Sequence, residues 1–284
     1  MSCVTLKEIL GKALAEGYAV AAYNIIDYQS MRAVIETAEE LSAPVVTQVS
    51  VKTIKYWGYD PIVSWYRQLA EKSPIPVVLH LDHCKELEVI QGCIDAGWTS
   101  VMIDGSSFPY EENLAMSQKV RNIANAGGVT LEAELGQIGG VEDDMVVDEE
   151  DAHLADVDKS IEFCEAVQPD LFAPAIGTAH GMYKGQPKIA YDRIEAIAKK
   201  TGIPIALHGG TGLADDVFRK CISLGCAKIN ISTMLKHGFI NSFLEYREKN
   251  PQDYEPLKYL GYQFEYIKKD MHTIINLFGG AGKA

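Results

Sequence analysis

The sequence predicts an α/β protein folded as a single (β/α)8 barrel, and three observations lead there. Eight short, β-rich runs alternate with segments of helical period. The runs begin at Tyr18, Pro44, Pro76, Ser100, Thr130, Leu171, Pro204 and Ala227, with a mean spacing of about 30 residues, close to one βα unit. They are apolar nearly throughout, as parallel strands buried on both faces must be. The rival architecture, an open doubly wound sheet, usually carries a glycine-rich first βα turn, and here that turn reads Tyr23-Asn24-Ile25-Ile26-Asp27.

The elements follow in order. Thr5 is an N-cap signal for a mixed-charge amphipathic helix that reaches Gly17. The first run (YAVAAYNI) leads to a helix over 30–41, and the second (PVVTQVS) to the third (PVVLHLDH) and a helix over 86–96. The fourth (SVMIDGS) precedes a helix over 112–125, and the fifth (TLEAELGQ) an acidic insertion, 139–158, and a helix over 158–167. The sixth (LFAPAIGT), seventh (PIALHGGT) and eighth (AKINIST) precede helices over 191–200, 215–224 and 235–248. An extra helix over 254–277 lies in a C-terminal helical extension of about 251–284. No Pro/Gly/Ser linker or low-complexity stretch interrupts this pattern, so the expectation is one domain, 1–284, a TIM barrel with extra N- and C-terminal helices.

Composition narrows the function. Apolar residues make up 47% and charged residues 23%, an ordinary globular balance. A net charge of −13 argues against nucleic acid or an anionic membrane surface as partner. No run approaches the length of a membrane span, and the first residues lack the apolar stretch of a signal peptide. The six cysteines form no C-x-x-C and are too sparse for a disulfide framework, so a reducing cytoplasm is expected.

Catalytic groups of such a barrel gather at the C-terminal ends of its strands. Of seven histidines, His83, His180 and His208 fall at the ends of runs three, six and seven. Three converging imidazoles suit a divalent transition metal and leave positions open for substrate. His80, three residues before His83, reads as structural, and His153, His237 and His272 as surface or packing residues. Asp82 is either a general acid/base beside the metal or a hydrogen-bond partner for a histidine. Asp104, Glu132 and Glu134 are too acidic a cluster for a barrel interior without a cation or partner. Glu142, in the insertion, is either a mobile acid/base or a solvated charge. After runs seven and eight, Gly209, Gly210, Thr211 and Gly212, then Asn230, Ile231, Ser232 and Thr233, have the composition of a phosphate cradle built from backbone N–H groups and hydroxyls, and Gly181 extends it. A metal with open positions beside a phosphate cradle fits enolate chemistry on a phosphorylated sugar.

The motifs Leu79-His80-Leu81-Asp82-His83, Glu132-Ala133-Glu134-Leu135-Gly136, Gly139-Gly140-Val141-Glu142-Asp143, Gly177-Thr178-Ala179-His180-Gly181, Leu207-His208-Gly209-Gly210-Thr211-Gly212 and Lys228-Ile229-Asn230-Ile231 closely resemble those of class II, metal-dependent fructose/tagatose-bisphosphate aldolases, in order from about Thr5 to Lys249. The resemblance implies Zn2+ on His83, His180 and His208, with Glu134 and Asp104 holding it in an alternative, substrate-free placement. It implies that Asp82 takes the C4 hydroxyl proton and that Glu142 exchanges the proton on the dihydroxyacetone-phosphate carbon, through a metal-stabilised enediolate. It assigns the phosphate to Gly181, Gly209 to Thr211 and Asn230 to Thr233, with a monovalent cation (Na+ or K+), and the distal half of the substrate to Asn24 and Ser50. It also implies a homodimer or homotetramer in the cytoplasm.

The match departs at the C-terminus. Members acting on bisphosphates commonly carry arginines there, in Asp-Pro-Arg and Pro-Ala-Arg contexts, where this chain has Glu255-Pro256-Leu257-Lys258 and Tyr262-Gln263-Phe264-Glu265. A bidentate fork for a second phosphate is hard to replace by Leu257 and Phe264, leaving Lys52, Lys55 or Lys258. The expectation is a substrate whose distal end is not a simple phosphate or is bound differently. Two other functions fit less well. A metal-dependent barrel hydrolase places His-x-His at the end of the first run, which reads Tyr23-Asn24-Ile25 here; a non-catalytic sugar-phosphate-binding partner subunit is expected to lose ligands or acid/base groups, and all are present. The net charge does not oppose an anionic sugar, because much of it sits in the insertion (Glu142, Asp143, Asp144, Asp148, Glu149, Glu150, Asp151) and a backbone cradle needs no basic patch.

Overall fold

The computed structural model describes the chain except residues 1, 143–144, 148–153, 182, 184 and 186, with the backbone alone for 141–142 and 145–147. His153 and most of the acidic insertion therefore lie outside the described residues.

The eight runs form a closed parallel barrel. Its strands are β1 (Val20–Asn24), β2 (Val45–Ser50), β3 (Val77–Cys84), β4 (Ser100–Ile103), β5 (Thr130–Leu135), β8 (Leu171–Pro174), β10 (Ile205–Leu207) and β11 (Cys226–Ile231). They pair in the order β1-β11-β10-β8-β5-β4-β3-β2. The seam joins first strand to last, with Val20 opposite Lys228 and Tyr23 opposite Ile231. Nearly every strand residue is buried, as a barrel wrapped in helices requires.

Helix α1 (Leu6–Glu16) starts where Thr5 and Glu8 form a reciprocal capping box and stops at Gly17, whose φ of 69° is left-handed. Its buried face, Leu6, Ile9, Leu10 and Ala13, packs with Val20, Ala22, Val46, Val78, Leu171, Ala173, Ala206 and Ala227. These strand residues line the N-terminal end of the barrel interior, so α1 is the floor of the barrel. A separate, larger cluster joins the outer faces of the strands to the surrounding helices.

Three features differ from the sequence reading. Between β2 and β3 lie two helices, α3 (Val51–Trp57) and α4 (Tyr59–Ala70), broken at Gly58. β8 ends at Pro174, earlier than the sixth run, because proline has no N–H to continue the ladder. The residues beyond it form β9 (Ala179–His180), which pairs with β6 (Gly139–Glu142), itself paired with β7 (Met145–Val147). The insertion thus builds a small sheet at the mouth, and His180 belongs to that sheet rather than to the barrel. Gly140 makes the approach: a Cβ there would sit 2.2 Å from the His180 carbonyl oxygen. The extra C-terminal helix expected over 254–277 is α11 (Pro256–Leu277); it packs on α2 (Tyr28–Glu40) and α10 (Thr233–Lys249), burying Phe264, Ile267, Met271 and Ile275.

Candidate active site

Strand β3 carries two neighbouring site residues, Asp82 and His83, near its C-terminal end. Asp82 follows His80 at the two-residue period of an inward face, and a regular strand would turn His83 away. The pairing of β3 with β4 instead shifts register between Leu81 and Cys84, and His83 adopts a φ of 45°. A non-glycine residue in that region costs about 1–3 kcal/mol and persists only where its surroundings fix it. The cost here turns His83 inward, to His208 and Asp104.

His83 and His208 face each other, with His83 Nε2 2.9 Å from His208 Nδ1. Their other nitrogens are committed to carboxylates: His208 Nε2 donates to Glu132 Oε1 at 2.7 Å, and His83 Nδ1 to Asp104 Oδ2 at 3.0 Å. Two lone pairs therefore converge, an arrangement that asks for a shared proton or a cation. Donor atoms of His83, His180 and His208 all lie within 4.8 Å of one another, which fits the three-imidazole set of an open zinc site. His83, Asp104 and Glu134 form a second such group. It lies on the Nδ1 side of His83, where Glu134 Oε2 is 3.5 Å away, and the same oxygen is 3.5 Å from His208 Nδ1. The two donor groups adjoin and share His83.

Burial sets the charges. It pushes the pKa of both His208 and His80 below the usual imidazole value, so both rings are neutral at pH 7. It pushes the Asp104 carboxyl upward, but hydrogen bonds from His83 and Ser106 outweigh it and hold that group well below the carboxylate range. Glu132 behaves alike: desolvation opposes ionisation, and the Lys228 ammonium together with His208 and His80 overcomes it. The acidic cluster noted in the sequence is thus balanced inside the barrel. His80 is the structural histidine expected, with Nδ1 2.8 Å from Ser100 Oγ.

Asp82 is 1% exposed and held from two sides. Asn24 Nδ2 donates to its Oδ2 at 2.6 Å and Asn230 Nδ2 to its Oδ1 at 3.3 Å. Gln48 Nε2 donates to Asn24 Oδ1 at 2.6 Å, which orients the amide so that its NH2 group meets Asp82. Ser50 is the N-cap of α3, its hydroxyl accepting from Thr53 N. Glu142 ends β6, two residues past the Gly140–His180 pair; its side chain lies outside the described residues.

A second cavity is lined by His180, Gly181, Gly209, Gly210, Thr211, Asn230, Ser232 and Thr233. Gly209 has a φ of 66°, and a Cβ there would meet the Ala179 carbonyl at 2.4 Å. The N-terminus of α10 opens at this cavity, where Thr211 Oγ1 accepts from Met234 N. The buried hydroxyl of Ser232 has no partner among the described residues, so polar capacity is available for an anion. Among the described residues, no lysine or arginine lines the cavity. The Ile231 side chain packs in the outer apolar layer. Tyr183 ties the two loops together: its hydroxyl accepts from Ala179 N at 2.9 Å and donates to the Gly209 carbonyl at 2.7 Å.

The sequence reading did not assign Gln48, Lys228 or Tyr183 to the site. Gln48 and Lys228 carried a signal, since each lies two residues before a chosen residue, Ser50 or Asn230, on the same inward face.

A closed parallel barrel with a convergent histidine and carboxylate set at its mouth defines a TIM-barrel enzyme class with a metal-type donor site. Comparison with known proteins makes this specific. A family profile described as "Fructose-bisphosphate aldolase class-II" matches residues 4–283. The fructose-bisphosphate aldolase of Geobacillus stearothermophilus is 40% identical over the whole chain and 99% of its own length. The sulfofructosephosphate aldolase of Alkalicoccus urumqiensis is 36% identical, with 100% and 99% covered. The crystal structure of the YdjI aldolase from Escherichia coli K12 superposes with a TM-score of 0.87 at 28% identity, covering 99% of each chain. The chain belongs to the class II fructose-bisphosphate aldolase family and is an aldolase, a lyase acting on phosphorylated sugars. No helix among the described residues is long and apolar enough to cross a membrane.

Proposed function

We propose that this chain is a zinc-dependent aldolase of one domain, 1–284, that cleaves a ketose 1-phosphate or ketose 1,6-bisphosphate of the fructose/tagatose type to dihydroxyacetone phosphate and an aldehyde. The observation that carries it is the juxtaposition, at one barrel mouth, of the His83–His180–His208 set, the doubly held Asp82 and the uncharged cradle around Gly209. Zinc on the three histidines would supply a Lewis acid for the substrate carbonyl and for the negative charge of an enediolate.

The residues divide the remaining work. The 1-phosphate sits on the N–H groups of Gly181, Gly209 and Gly210, the hydroxyls of Thr211, Ser232 and Thr233, and the N-terminus of α10, with a sodium or potassium ion sharing its charge. Asp82 accepts the C4 hydroxyl proton as the C3–C4 bond breaks; C4 leaves as the aldehyde and the bonding pair stays on C3. Glu142, entering as the carboxylic acid, donates its proton to C3 and completes dihydroxyacetone phosphate; the proton taken by Asp82 passes to solvent and Glu142 regains one, so the enzyme ends as it began. Asn24 both steadies Asp82 and, with Ser50, borders the distal half of the substrate. Glu134 and Asp104, with His83, would offer the metal a second set of donors in the absence of substrate. The protein works in the cytoplasm as a homodimer or homotetramer.

The distal end of the substrate is read as other than a simple phosphate, or as bound without an arginine fork. Two candidate cations already face carboxylates: Lys55 meets Glu86 at 2.7 Å and Lys258 meets Asp253 at 2.8 Å. A cleavage assay over ketose 1-phosphates, ketose 1,6-bisphosphates and a sulfofructose phosphate, detecting dihydroxyacetone phosphate with and without a chelator, tests both readings. Chelator-sensitive cleavage with similar rates on fructose 1-phosphate and the 1,6-bisphosphate is expected. Chelator-resistant cleavage overturns the metal, and a large preference for the bisphosphate overturns the reading of the distal end.

A further inference from the structure

Deep in the barrel, below the site, lies a lysine that the reaction leaves unused. Lys228 is the third residue of β11, opposite Val20, and its side chain is fully buried. A lysine in an aldolase invites a Schiff-base reading. Its Nζ is instead held 2.8 Å from Glu132 Oε2, inside a fully buried pair.

The pair is asymmetric in a useful way. Oε2 of Glu132 faces Lys228, with His80 Nε2 3.3 Å away, while Oε1 accepts from His208 Nε2. Ser100 fixes the far nitrogen of His80. Lys228 anchors one carboxylate oxygen, which leaves the other aimed at His208. That second bond keeps the His208 proton on Nε2 and the Nδ1 lone pair toward His83.

We propose that Lys228 is a positioning residue for His208: acting through Glu132, it sets the ring orientation and tautomer that present Nδ1 to a metal. The inference rests on the reading of His83, His180 and His208 as metal ligands. Partners of this kind shift metal affinity by roughly 10–100-fold when removed. Apolar filling of the position would leave Glu132 buried without its cation, with no fixed direction for Oε1.

The test measures Zn2+ affinity by chelator competition, and the visible ligand-field bands of Co2+-loaded protein, for wild type, Lys228→Met, Glu132→Gln and the double variant. Lys228→Met is expected to weaken Zn2+ binding by roughly 10–100-fold and to shift the Co2+ bands. If Lys228→Met proves too unstable to purify, Glu132→Gln and the double variant suffice, because the double variant leaves neither buried charge unpaired. Lys228 acting through Glu132 means that adding Lys228→Met to Glu132→Gln costs no further affinity, or restores some by freeing the amide to turn its oxygen to His208. A further tenfold loss in the double variant, or wild-type affinity and unshifted bands in Lys228→Met, overturns the proposal. Absence of metal binding in wild type overturns the metal reading itself.

Discussion

At the floor of the barrel, Val20, Ala22, Val46 and Val78 meet the apolar face of α1, and none of these side chains needs a hydrogen bond. One inward step along those strands the residues are Asn24, Gln48 and His80, ringed by Glu132, His208 and Lys228, all buried and all polar. Both layers have the same backbone and nearly the same exposure. They differ in what holds them: the floor is secured by area removed from water, about 1.5–3 kcal/mol for each large side chain, and the mouth by partners, since an unpaired buried donor or acceptor costs about 1–3 kcal/mol. A floor residue is therefore replaceable by another of similar volume, whereas a mouth residue is replaceable only together with its partner.

Substitutions at the two ends should separate cleanly. The largest effect is expected for His208→Ala, which removes a donor from the His83 set. Bound metal and cleavage should disappear together, with kcat/KM falling by about 10^3-fold or more; elemental analysis beside a cleavage assay checks this, and activity without metal would break the comparison. Asp82→Asn keeps the shape and most hydrogen-bonding capacity. It should retain metal and lower kcat by about 10^2–10^4-fold, and unaltered kcat would refute a proton-transfer role. At the floor, Leu10→Ala should do the reverse, lowering stability by about 2–5 kcal/mol in denaturant unfolding while the activity per folded molecule stays near wild type.

The smallest effect concerns an ion pair at the same end. Asp170 accepts from Leu131 N at 3.0 Å and meets Arg121 at 2.7 Å and Lys7 of α1 at 2.9 Å. Burial pushes its carboxyl up, but those three partners prevail and hold it below the ordinary value. A carboxyl with a lowered folded-state pKa contributes stability above its unfolded pKa, about 3.9, and loses it as pH falls through the folded value. Asp170→Asn should thus lower Tm at neutral pH, with the gap to wild type narrowing as the pH is taken below 4. A gap independent of pH would mean that the charge contributes nothing.

The contrast also explains what was legible in the sequence. Floor and strand cores follow period and composition, and the eight barrel strands lie where the apolar runs do. Cap chemistry likewise located α1 between Thr5 and Gly17. The two helices after β2 and the sheet of β6, β7 and β9 escaped because the first depend on one glycine break and the second on two- to four-residue strands with little pattern to detect. At the mouth, residue types were visible and their pairings were not. His83 reaches the site through a backbone irregularity that alternation argues against. Glu132 and Lys228 are 96 residues apart in sequence, so the acidic excess at Glu132 gives no sign of its counter-charge until the barrel brings the two together.

The seam between β1 and β11 also gives the site a date of birth. Asn24 emerges from the ribosome early, but Asn230, its counterpart on Asp82, and the lysine that neutralises Glu132 belong to the last strand to be synthesised. Until Ile231 is released the nascent chain holds the carboxylates of the third, fourth and fifth strands without their final counter-charge. Synthesis order thus favours a late, concerted closure, in which the catalytic mouth and the completed barrel appear in the same event.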